Sequence, residues 1–152
     1  MSNDTIVTLQ GHVGGTVQLR EVGDAVVANL RVACTPRRLK RATGEWVDGE
    51  TQWYSVSAWR HLGEHCARSL NSGDPVVVHG RLTTRTYVNK DGVEVTTLEV
   101  DALLVGHDLN RGITTFAKRP SAAELAERQA AARAAQAAQA STATGQEEST
   151  AA

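Results

Sequence analysis

Residues 51–59 read T-Q-W-Y-S-V-S-A-W, and their alternation decides the fold. A β-strand turns successive side chains to opposite faces. The odd positions put Trp53, Ser55, Ser57 and Trp59 on one side; the even positions put Tyr54, Val56 and Ala58 on the other. Two tryptophans sharing a face with two serines make a poor core, because a buried indole must also find a partner for its N–H. Flat aromatics at both ends of a polar strand face make a platform on which something planar can stack. The alternative, that Trp53 and Trp59 are core residues, predicts that both are covered.

Residues 76–88 repeat the pattern. Val76, Val78, Gly80 and Leu82 alternate with Val77, His79, Arg81, Thr83, Arg85 and Tyr87. Tyr87 therefore shares a face with Arg85 and Arg81. Aromatic faces beside guanidinium groups suit single-stranded nucleic acid, whose bases stack and whose phosphates need neutralising.

Around these two strands the rest of the chain falls into place. Residues 5–13 predict a first strand with a bend or bulge at Gly11, continued or folded back over residues 17–22. Residues 25–34 predict a strand with Val26, Ala28, Leu30, Val32 and Cys34 inward and Asn29, Arg31 and Ala33 outward. Pro36 closes it. Residues 36–50 then predict a protruding hairpin that turns at Thr43-Gly44, with Trp46 on its return arm. Within it, residues 36–41 (PRRLKR) hold four cations, Arg37, Arg38, Lys40 and Arg41. Clustering of this kind steers a polyanion more than net charge does.

After residue 59, Leu62, Cys66 and Leu70 recur at helical spacing and Ser72-Gly73 stops the helix. Asn89 to Gly92 carries a hairpin signal, since Asp-Gly tolerates positive φ, and residues 93–105 form the last strand. The result is all-β: five strands with one short helix between the third and fourth. That order predicts a five-stranded OB-fold Greek-key barrel with the helix plugging one end. A small β-sandwich would not need the helix.

The 152 residues allow one domain and an appendage. Net charge is −1, so the balance is not that of a strongly basic duplex binder. No signal-peptide pattern and no long apolar run occurs, which predicts a soluble cytoplasmic protein. Cys34 and Cys66 are too few for a disulfide framework and read as buried thiols. His61 and His65 have the spacing of a metal pair but lack a third ligand at a recognised spacing. Neither a phosphate loop, a nucleophile elbow nor a carboxylate cluster for two metals occurs. The sequence therefore predicts a binding protein without metal or cofactor, not an enzyme.

The segments VTLQGHVG (7–14), ATGE (42–45), TQWY (51–54), GRLTTR (80–85) and DG (91–92) run in one order through residues 5–108. Together they resemble the bacterial single-stranded-DNA-binding protein family of the homotetrameric OB-fold type. The resemblance implies that Trp53, Trp59 and Tyr87 stack bases and that Arg85 is a basic contact. Arg81, Arg37, Arg38, Lys40, Arg41, Trp46 and Arg20 complete the expected DNA-binding set. Where the family often has a further stacking tryptophan before its Ala-Thr-Gly-Glu turn, this chain has Arg38, and Trp46 on the other arm is a candidate substitute. The resemblance also implies a homotetramer. Val7 and the even-numbered face of the 51–59 strand, Tyr54 above all, would then lie near subunit contacts. It implies a role in replication, recombination or repair on nucleoid DNA. An RNA-binding or primosome-type OB module is the alternative, since stacking alone does not distinguish ribose from deoxyribose.

This divides the chain into a DNA-binding domain over 1–110, an extension over 111–120 and a tail over 121–152. The extension is similar to the strand with which actinobacterial members clamp a neighbouring subunit, or is a plain linker. The tail opens on a capping box at Ser121 and Glu124. Its Ala/Gln-rich run predicts a fraying helix or disorder to about Ala140, and disorder from Ser141. Family members that recruit partners end in an acidic tip with a Pro-Phe anchor. Residues 146–152 read QEESTAA, which predicts an accessory paralogue that recruits tip-binding partners weakly.

Overall fold

The computed structural model describes residues 3–147, with side chains to residue 139. One compact unit runs to Thr114 and a second begins at Thr115. The first unit holds eight strands and a helix: β1 Ile6–Val13, β2 Gln18–Val22, β3 Ala25–Cys34, β4 Arg37–Lys40, β5 Glu45–Asp48, β6 Gln52–Trp59, α1 Arg60–Ser69, β7 Pro75–Val88 and β8 Glu94–His107. The second holds α2, Ala122–Glu147.

Hydrogen bonding runs β1-β7-β8-β6-β3-β2, and a further pairing of β1 with β3 closes five of these strands into a ring. Closure removes the free edges that an open sheet leaves for aggregation. The expected count of five strands is corrected to eight, because β2 pairs onto β3 and β4–β5 form a separate two-stranded ribbon. The mid-chain helix follows the strand that carries both tryptophans, but that strand is the sixth in order, so α1 lies between β6 and β7 rather than between the third and fourth strands.

Alternation builds the core. Val32, Val56, Val76, Val78 and Val100 are the largest fully buried side chains, and burying each contributes roughly 2 kcal/mol. Cys66 of α1 and Leu70 just past its end join the core, and Leu62 packs against it. Gly11 is not a bulge: β1 runs straight through it, paired with Val76. A Cβ there would collide with the Ala33 carbonyl, so the glycine lets β1 cross β3 where the ring closes.

From Thr83 onward β7 leaves the barrel with both faces exposed, paired with the start of β8 as an arm. Asn89 organises its tip, its Oδ1 accepting from the backbone N–H of Asp91 at 3.0 Å and of Val93 at 2.9 Å. Gly92 takes φ +76°.

In the second unit the capping box forms as expected. The Ser121 N–H donates to Glu124 Oε2 at 2.6 Å, and the Glu124 N–H donates to Ser121 Oγ at 3.2 Å. The Ser121 backbone N–H, with the Ser121 side chain adding to it, holds the Glu124 carboxyl below its usual range. The run to about Ala140 is helical, one of its two expected alternatives, and α2 continues past Ser141, where disorder was expected, to Glu147. Alanine-rich sequence over residues 122–140 favours a helix. The expectation for 148–152 lies outside the described residues. Residues 112–121 form no strand in the single chain.

Candidate nucleic-acid interface

The outward residues of four strands line up in rungs. Asn29 pairs with Ser57, Ser57 with Asp101 and Asp101 with Arg81. The next rung is Arg31, Ser55, Glu99 and Thr83. Trp53 stands beyond it opposite Ala33, and Trp59 stands at the other end opposite Val27. Trp53 is 45% exposed and Trp59 42%, whereas Val56 and Ala58 between them are 1% and 0% exposed. The tryptophans are therefore surface residues, about 20 Å apart along the strand at 3.3 Å per residue.

Trp53 is held from two directions. The Arg31 guanidinium carbon lies 4.5 Å from its ring centroid, within cation–π range. The benzo end of the indole rests on Gly14, where any Cβ would strike the ring. Sequence reasoning placed Arg31 on the outward face but assigned it no role. Only the β3–β6 register shows that it stands diagonally across from Trp53.

On β7, both expected arginines have acidic neighbours. Arg81 Nε lies 3.0 Å from Asp4 Oδ2, and Arg85 Nη1 lies 3.9 Å from Glu99 Oε1. Tyr87, 49% exposed, stands on the protruding arm opposite Val95. Arg20 shares a rung with Val27 and Trp59, and its Nη2 donates to Gln18 Oε1 at 3.1 Å. The face is thus mixed in charge. Its middle strand, β8, contributes Glu99 and Asp101.

The basic hairpin turns where expected, with Gly44 at φ +70°. Its register puts Arg37 opposite Asp48, Arg38 opposite Val47, Leu39 opposite Trp46 and Lys40 opposite Glu45. Arg37 Nε also meets Asp48 Oδ1 at 3.0 Å. Since alternate rungs face opposite ways, Trp46 and Leu39 share one ribbon face while Arg38 and Lys40 share the other. Trp46 therefore does not share a ribbon face with Arg38. It is 60% exposed on the opposite side. Arg41 lies in the turn itself.

Most of the even face of β6 turns into the barrel. Val56 and Ala58 are sealed inside their own barrel. Tyr54 is half-buried against that core, and its hydroxyl donates to Gln52 Oε1 at 2.9 Å. Val7 is half-buried in the same way.

Away from this face, Cys66 is buried and burial pushes its thiol up to about 11. Cys34 is only half-buried, which corrects the expectation of a buried thiol, and burial raises it too. His61 Nδ1 lies 3.4 Å from Glu64 Oε2. At the end of β8, Asp108 is 6% exposed. It accepts from Gln10 Nε2 at 2.6 Å and from the Asn110 backbone at 3.0 Å. Those bonds, Gln10 first, hold its carboxyl below the usual range.

Comparison with known proteins fits this geometry. Residues 4–107 match the Single-strand binding protein family. Single-stranded DNA-binding protein 2 of Streptomyces avermitilis is 44% identical over 79% of this chain and 75% of its own length. Single-stranded DNA-binding protein 2 of Streptomyces coelicolor is 39% identical over 78% of this chain and 60% of its own. The crystal structure of a small single-stranded DNA-binding protein from Streptomyces coelicolor covers 73% of this chain and 100% of its own, with 38% identity and a TM-score of 0.68. With a closed barrel and the matched residues spanning nearly all of it, the chain belongs to the Single-strand binding protein family.

Proposed function

We propose that this protein binds single-stranded DNA without strong sequence preference and protects it during replication, recombination or repair. It does so as a binding protein, not an enzyme. Trp53, Trp59 and Tyr87 stack bases. Arg81, Arg85, Arg20 and the hairpin cations Arg37, Arg38, Lys40 and Arg41 meet phosphates, with Trp46 on the ribbon's other face as a further aromatic contact. The observation that carries this reading is the exposure of Trp53 and Trp59 at the two ends of a polar strand face.

The test is quenching of intrinsic tryptophan fluorescence by oligo-dT. A stacked base is worth roughly 1–3 kcal/mol by alanine substitution, so Trp53→Ala and Trp59→Ala should each weaken binding at least about tenfold with the barrel still folded. Normal binding by both variants at moderate salt overturns the platform. Competition between matched DNA and RNA oligomers separates this reading from an RNA-binding module.

The same reading includes a cytoplasmic homotetramer on nucleoid DNA, with Val7 and the exposed part of Tyr54 near subunit contacts. The extension supports a clamp on a neighbouring copy: Ile113 is 99% exposed and Phe116 88%, which is a poor end state for large apolar side chains in water. Sedimentation at micromolar concentration should give a tetramer. The tail, whose one large hydrophobe is Leu125, supports an accessory role with weak recruitment of tip-binding partners. A chain shortened to Pro120 should therefore bind such a partner as well as the full chain does.

A further inference from the structure

We propose that Arg31 is a mobile phosphate contact that rests on Trp53 when no DNA is bound and is displaced by the incoming base. This rests on the single-strand-binding reading and adds to it a residue outside the expected DNA-binding set. Three observations carry it. The guanidinium occupies ring surface that a stacked base needs, 4.5 Å from the centroid. Arg31 belongs to the rung next to that of Trp53 on the side of Trp59, so it covers the ring from the direction in which a strand joining the two tryptophans must run. Its partner also differs from those of its neighbours: Arg81 and Arg85 face carboxylates, while Arg31 faces an aromatic ring.

A base that stacks on Trp53 exchanges one planar group for another. The guanidinium, released beside the strand it has just admitted, is within a side chain's reach of the adjoining phosphate. Arginine suits both positions, because its planar fork stacks on an aromatic face and pairs with phosphate oxygens. A lysine keeps the phosphate contact as a point charge.

The experiment is a salt series of oligo-dT affinities for the full-length wild type, Arg31→Gln and Arg31→Lys. The Gln variant should lose about 0.7 from the slope of log affinity against log salt for each protomer engaged. Its deficit should be largest at low salt and close as salt rises, while the Lys variant keeps the wild-type slope. An unchanged slope in Arg31→Gln, or the same fold-loss at every salt concentration, overturns the proposal, the second because Arg31 would then only prop the ring. A Lys variant with the Gln slope also overturns it. Failure of the wild type itself to bind oligo-dT would instead sink the single-strand-binding reading.

Discussion

Arg85 Nη1 stands 3.9 Å from Glu99 Oε1 across the β7–β8 ladder, so an arginine of the proposed phosphate track shares its field with a carboxylate on the same face. The pair is exposed, at 73% and 38% of side-chain surface. Such pairs are worth at most about 1 kcal/mol to the fold. Their larger effect is on the polyanion, which meets a half-neutralised cation.

Glu99→Gln should therefore tighten oligo-dT binding about two- to fivefold at low salt and leave thermal stability nearly unchanged. It should also steepen the salt dependence, because Arg85 becomes free to take a phosphate. Equal affinity and slope in the variant would show that Glu99 lies off the path of the strand.

The hairpin makes a directional prediction. Arg38 and Lys40 share a ribbon face, and Arg37 is held by Asp48. Neutralising Arg38 and Lys40 together should flatten the salt slope by up to about 0.7 for each phosphate that the pair neutralises. Neutralising Arg37 alone should change it less. If the two changes proved equal, the Arg37–Asp48 pair would have to open on binding.

Arg60 follows Trp59 directly and takes φ +56°, a left-handed conformation that strains a non-glycine residue by roughly 1–3 kcal/mol. Glycine adopts it freely but loses more entropy on folding. Arg60→Gly should on balance stabilise the protein by about 1 kcal/mol and raise Tm by roughly 4 °C. A calorimetric Tm at or below that of the wild type would show that the Arg60 side chain offsets its own backbone strain.

Acid should unfold the protein through two carboxyls at the barrel's end. Asp74 is held low first by the Asn71 backbone N–H, with His107 adding to it, and Asp108 is held low first by Gln10. A depressed folded-state value means that the stabilisation is complete above the unfolded carboxyl's pKa and is lost as pH falls through the folded one. Stability should therefore be level down to about pH 5 and fall below about pH 4. Asp108→Asn should be less stable at neutral pH and lose less on acidification. A parallel pair of stability–pH curves would remove Asp108 from this account.

Much of this protein was legible in local pattern. The parity of Trp53, Ser55, Ser57 and Trp59 separated platform from core, since a strand's two faces follow from its own backbone. The spacing of Leu62, Cys66 and Leu70 gave the helix, and Ser121 with Glu124 gave the cap, both also properties of neighbouring residues. The failures have the same origin. Counting β2 and the β4–β5 ribbon as strands required knowing what they pair with. The tail to Ala140 was open between helix and disorder, because alanine favours a helix while no apolar stripe makes it pack, and the structure carries that helix on to Glu147.

What only the tertiary structure decided was which residues meet. Arg31 lies on Trp53, Glu99 beside Arg85, Asp4 beside Arg81, and Trp46 on the ribbon face away from Arg38. Alternation assigns a residue to a face but not to a rung, because register is settled by the whole ladder and by closure of the ring. The sequence by itself determined which aromatics and cations share a strand face. The pairing of distant strands determined how much of that charge and ring surface stands free to meet a nucleic acid.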